Sequence, residues 1–91
     1  MTEKRQTGYV YSIRSHQTDL IYIGSTFSPL HKRLYKHRQN FKNFLIEKYA
    51  FVSSFEIIKF DDNYIELIEM YENVNKLELH KYEGEHIRKN E

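Results

Sequence analysis

Five side chains have the types that hydrolysis of a phosphate diester calls for: Tyr11, Tyr22, Arg33, His37 and Glu83. That chemistry, when metal-assisted, needs a carboxylate to hold the ion and a group to deprotonate or orient water. It also needs a cation to face the charge building on phosphorus. Glu83 falls on the apolar stripe of a segment with helical periodicity, where a lone carboxylate is costly unless it is paired or holds a metal. A salt bridge to Arg33 or Lys32 would satisfy it equally well. Arg33 and His37 are one helical turn apart and share a face. A guanidinium suits phosphate oxygens, and an imidazole can donate, accept or orient. They read just as readily as a solvated arginine and a core-edge histidine. Tyr11 and Tyr22 stand eleven residues apart, one on each of two β-favouring runs, and ordinary cross-strand packing of aromatics also accounts for them.

The elements that must position these groups are legible from pattern. Tyr9 to Arg14 alternates with period two, and Leu20 to Gly24 is a second β-favouring run, so the two read as a hairpin across the polar Ser15–Asp19 turn. Ser28-Pro29 announces a helix with Ser28 as N-cap and Pro29 as first helical residue, running to about Arg38. A second helix is expected from Asn40 to Lys48, a strand from Ser54 to Phe60, and turn chemistry at Asp61-Asp62-Asn63. Tyr64 to Tyr71 allows either a strand or a short helix, and the short preceding turn favours the strand. Asn75 then caps a helix over Lys76–Lys89, with Leu79, Tyr82, Glu83, His86 and Ile87 on one face. The order β-β-α-α-β-(β)-α makes a small mixed α/β (α+β) domain, with a central antiparallel sheet of three or four strands flanked by helices.

Ninety-one residues suffice for one domain, expected to span 1–91. The 14 aromatics, 8 of them Tyr, supply much of a compact core. With no cysteine, disulfides and thiolate zinc sites are excluded. A histidine zinc site from His31, His37, His80 and His86 fails on spacing. The polar N-terminus and the lack of a long apolar run lead to the expectation of a soluble, intracellular protein without a membrane segment. Net charge is +1, but it is unevenly spread. Residues 1–48 hold nine Lys/Arg against three acids, and residues 49–91 hold five against ten. A surface attractive to polyanions beside one able to hold a cation is one reading of that split, and two solvated faces of opposite sign is the other.

Taken together, the motifs resemble the GIY-YIG nuclease family. Val10-Tyr11 stands where that family has the IY of its first motif, with Tyr9 in place of the glycine. Tyr22-Ile23-Gly24 matches the second motif. Gly24-Ser25-Thr26 through Lys32-Arg33-Leu34-Tyr35-Lys36-His37 is similar to its GST and RxxxH stretch, and Glu83 to its metal-binding glutamate. The resemblance covers roughly Gly8 to Lys89. It implies a divalent-metal-dependent DNA endonuclease in which Glu83 holds Mg²⁺ or Mn²⁺. Tyr11 would act as general base or orient the water, and Tyr22 would bond the phosphate or the nucleophile. Arg33 would stabilise the transition state, assisted by His37 through Tyr11 or the phosphate. Lys32, Lys36, Arg38 and Lys42 would then lie against the DNA backbone, contacts that position without reading sequence.

Two other readings stay open from the residues: a catalytically inactive nucleic-acid-binding module of the same fold, and a protein-interaction domain whose tyrosines pack a partner. The chain is expected to be the N-terminal part of a longer protein, with specificity in a further DNA-binding domain, and double-strand cleavage would call for a dimer. Which DNA structure or sequence is cut is not written in these residues.

Overall fold

The computed structural model describes residues 4–90. Three strands and three helices follow the order β1 (Gln6–Ser15), β2 (Thr18–Thr26), α1 (Leu30–Leu45), α2 (Phe55–Ile58), β3 (Tyr64–Val74) and α3 (Lys76–Lys89). The sheet is antiparallel with strand order β2-β1-β3, so β1 lies in the middle. This is the expected small α+β domain, with a three-stranded sheet.

A central strand covered on both faces departs from simple inside–outside alternation. Val10, Tyr11, Ser12 and Ile13 are all buried. Tyr11 and Ile13 point to one side, against Leu34 of α1 and Ile57 and Ile58 of α2. Val10 points to the other, against Val74 of β3 and Leu79 of α3. The period of two thus survives as a choice of helical layer. Gly8 lies under α3, where an added Cβ would stand 2.8 Å from a Leu79 methyl.

Three local expectations change. The two expected helices are one, Leu30–Leu45, because nothing between Arg38 and Asn40 breaks it and its inner face continues from the buried Leu34 and His37 to the half-buried Phe41 and Phe44. Its N-cap is Pro29, not Ser28, and Pro29 O accepts the Lys32 and Arg33 amides at 3.1 Å. At the far end Glu47 takes φ 60°, with Glu47 N donating to Phe44 O at 3.0 Å and Lys48 N to Asn43 O at 2.8 Å, the pairing of a Schellman stop.

Ser54–Phe60 contains the short helix α2 instead of a strand. This apolar run packs against β1 and α1 as a plug instead of extending the sheet. Phe55, Ile57 and Ile58 are buried, and the Asn63 side-chain amide closes the turn by donating to Ile58 O at 3.0 Å and Phe60 O at 2.6 Å. Tyr64–Val74 is a strand, as its turn chemistry implied. Asn75 caps α3 in a full capping box with Glu78. His86 is buried there and meets the Tyr71 hydroxyl at 2.9 Å, while Tyr71 stacks on Tyr82 with ring centres 4.2 Å apart. This tyrosine–histidine pair fastens α3 to β3.

Candidate active site

Strand register brings the two tyrosines together. Tyr11 lies opposite Gly24, and Ile13 lies opposite Tyr22. Directly opposed residues share a face, so Tyr11 and Tyr22 are diagonal neighbours on the α1 side of the hairpin, with ring centres 6.4 Å apart. The glycine between them has a steric job: a Cβ on Gly24 would fall 2.6 Å from the Tyr11 hydroxyl and 3.0 Å from Tyr22 Cε1. Gly24→Ala should therefore push the Tyr11 phenol out of place and cost about 1–3 kcal/mol. Chemical denaturation read against wild type checks this, and an unchanged midpoint contradicts it.

From α1, one turn apart, come Arg33 and His37. Arg33 Nε donates to Tyr11 Oη at 3.0 Å, and His37 Nε2 lies 2.9 Å from the same oxygen. The His37 ring also stands edge-on to Tyr22, centres 5.4 Å apart. Its other nitrogen, Nδ1, meets Ser54 Oγ at 2.9 Å. The chain Arg33–Tyr11–His37–Ser54 is thus continuous.

Glu83 stands on α3, where its Oε1 accepts from Ser25 Oγ at 2.6 Å. Ser25 pairs with Val10 on the α3 face of the sheet, so Glu83 is linked to the tyrosines by its charge and not by a hydrogen bond. It meets the Ser25 hydroxyl instead of Arg33 or Lys32. Its charge is still felt across the site: it raises the pKa of both tyrosines. Burial is the main cause of the Tyr11 shift to about 12, with Tyr22 and Glu83 adding to it and Arg33 opposing it. Tyr22 is raised mainly by burial, against the same opposition from Arg33. His37 is lowered to about 4, first by burial and then by the positive charges of Arg33 and Lys36.

These shifts set the pH range of stability. His37 titrates lower folded than unfolded, so the unfolded chain binds the extra proton between about pH 6.5 and 4, and stability falls as pH drops through that window. Tyr11 titrates higher folded, so the unfolded chain loses its proton first, and stability falls again from about pH 10 to 12. Each limb should be worth on the order of 2–3 kcal/mol. Denaturation midpoints across pH check this, and the acid limb should vanish in His37→Gln beyond what carboxylates contribute.

Among the described residues no group of three or more His, Cys, Asp or Glu gathers in a metal-binding cluster. Glu83 is instead a single carboxylate, one oxygen held by Ser25, with lone pairs to spare. One carboxylate completed by water and phosphate oxygens is the donor set that Mg²⁺ or Mn²⁺ accepts, so the residues fit such an ion.

The four cations of α1 expected against a DNA backbone divide. Lys32, Lys36 and Lys42 are exposed, whereas the exposed Arg38 is tethered through Nε to Asn63 Oδ1 at 2.8 Å and through Nη2 to Asn63 O at 2.9 Å. A cleft of about 460 Å³ between β2 and the end of α3 adjoins the site, and Tyr22 belongs to both. Sequence reasoning missed the parts played by Ser54, Ser25 and Gly24. Ser54 sat in a segment read as a strand, and Ser25, although it lies in the GST stretch, was given no role because its partner is on a distant helix.

No helix among the described residues is long and apolar enough to cross a membrane. In comparison with known protein families, residues 7–91 fit the family described as the GIY-YIG catalytic domain. No curated protein and no solved structure matches the chain.

Proposed function

The chain belongs to the GIY-YIG catalytic-domain family, and from that premise we propose that it is a divalent-metal-dependent DNA endonuclease working through Tyr11, Tyr22, Arg33, His37 and Glu83. The observation that carries the reading is the convergence on one phenol oxygen. Arg33 Nε and His37 Nε2 both lie within hydrogen-bond distance of Tyr11 Oη, and Glu83 is near enough to shift Tyr11 electrostatically. The buried phenol would need partners in any case. What supports a catalytic reading is that they are an arginine and a histidine one helical turn apart, in a chain of this family.

Each residue then has a task. Tyr11 receives or orients a proton of the attacking water, and Tyr22 bonds the phosphate or the nucleophile. The water oxygen bonds to phosphorus as the bridging P–O bond breaks, and the departing oxygen takes up a proton. Arg33 faces the charge that spreads over the phosphate oxygens at that moment, where a fixed guanidinium stabilises more than it does in the ground state. His37 holds the Tyr11 phenol through Nε2. A phenol with a pKa of about 12 is a poor base at neutral pH. A divalent ion on Glu83, when bound, would supply the positive charge that makes the phenol and water more acidic and neutralises the phosphate.

Lys32, Lys36 and Lys42 would hold the DNA backbone, with Arg38 offering the guanidinium hydrogens that Asn63 does not use. Supercoiled plasmid incubated with the protein and Mg²⁺ or Mn²⁺ tests the reading. Nicked and then linear product, suppressed by a chelator, is expected. Intact plasmid across all metal concentrations would rule it out.

A further inference from the structure

We infer that Ser54 is a positioning residue that sets the tautomer of His37, keeping the ring proton on Nδ1 and leaving Nε2 bare to accept the phenol proton of Tyr11. Ser54 and Tyr11 are fully buried and His37 nearly so, so no bulk water satisfies these groups. Tyr11 Oη has one proton and two lone pairs. Arg33 Nε can only donate, so it occupies a lone pair. The other recorded partner of the phenol is His37 Nε2 at 2.9 Å. Were Nε2 protonated, two donors would converge on Tyr11 Oη, and the phenol proton would have no acceptor among the described residues.

With Nε2 bare, the neutral ring carries its hydrogen on Nδ1 and donates it to Ser54 Oγ at 2.9 Å. The rival arrangement has the serine donating to Nδ1. A phenol is a far stronger acid than an alcohol, and the Arg33 cation on its oxygen strengthens it further as a donor. The ring's single lone pair therefore goes to Tyr11. Ser54 is held for this by its place at the start of α2, where its carbonyl accepts the amides of Ile57 at 3.0 Å and Ile58 at 2.9 Å.

In the proposed reaction, on which this role rests, the same hydrogen bonds carry a proton transfer. When the phenol proton passes from Tyr11 Oη to His37 Nε2, the O–H bond breaks, an N–H bond forms, and the imidazolium donates from both nitrogens. Ser54 is already in place as acceptor for the second. The charges facing that ring are Arg33 and Lys36, with Tyr11 and Tyr22 as the titratable neighbours. Two cations and, among the described residues, no carboxylate act on the ring and keep it neutral at rest, and the neutral hydroxyl of Ser54 orients it without making it a stronger base.

Imidazole nitrogen NMR on the ¹⁵N-labelled protein, without DNA or metal, tests this directly. In wild type, His37 should show a protonated Nδ1 and an unprotonated Nε2. In Ser54→Ala the tautomer should shift toward protonated Nε2 and the nicking rate should fall about tenfold with KM unchanged, the loss of one positioning hydrogen bond. Ser54→Thr, which keeps the hydroxyl, should restore both. A wild-type ring protonated on Nε2 overturns the inference, as does a Ser54→Ala protein with both tautomer and rate unchanged. Should Ser54→Ala not fold, the wild-type spectrum alone decides. The predicted tautomer without nicking would count against the nuclease reading alone, and nicking with the opposite tautomer against this inference alone.

Discussion

Glu83→Gln should cut DNA cleavage by 10²–10³ or more while leaving the fold intact. The substitution is nearly isosteric, and its amide oxygen can still accept the Ser25 hydroxyl that now bonds Oε1 at 2.6 Å. What disappears is the negative charge, and with it the anchor for a divalent ion. The variant also separates two explanations. Glu83 holds the Tyr11 and Tyr22 pKa values up, so removing its charge makes both phenols more acidic. If phenol acidity alone limited the rate, Glu83→Gln would be faster than wild type. Glu85→Gln, which changes an acid two residues away that faces Tyr71, should cleave as wild type does. Single-turnover cleavage of a labelled duplex measures both, and equal rates for Glu83→Gln and wild type would contradict the assignment.

Arg33→Ala should lose a comparable 10²–10³ by a different route. Its Nε hydrogen bond to Tyr11 Oη disappears, and with it the main influence holding the phenol pKa down. The cation that would face the phosphate goes too. Arg33→Lys keeps a charge but not the planar fork, so it should recover only part of the loss. The stability cost should be small, because Tyr11 Oη keeps its bond to His37. Acid stability should improve, since Arg33 is one of the charges that lower the His37 pKa. A folded variant with slow cleavage and better acid tolerance is the combined signature. Cleavage within a few-fold of wild type would remove Arg33 from the chemistry.

Much of this arrangement could be seen in the sequence, and the parts that could not have physical causes. The hairpin, its register-competent tyrosines and the capped final helix are written in local pattern, because alternation and capping act within a few residues. The Arg33–His37 spacing placed both on one face of α1. Ser54–Phe60 was misread because an apolar run of strand length looks alike whether it joins a sheet or plugs the space beneath one. Only the space between the sheet and α1, which Ile57 and Ile58 fill, decides that, and it is a tertiary fact. Ser54 was hidden for the same reason, since its partner lies 17 residues away across that segment. Glu83 was noticed as a carboxylate on an apolar stripe, but its serine partner lies 58 residues earlier in the chain. Arg38 was taken as free for DNA, and its tether to Asn63 depends on a turn whose geometry the sequence only hinted at.

A crystal structure with Mn²⁺ and an uncleavable phosphorothioate duplex speaks most directly to whether these groups share one task. The account predicts a single anomalous peak on the Glu83 carboxylate, with one backbone phosphorus between it, Tyr11 Oη and the Arg33 guanidinium. Manganese bound elsewhere, with duplex lying away from the Tyr11 hydroxyl, would contradict it.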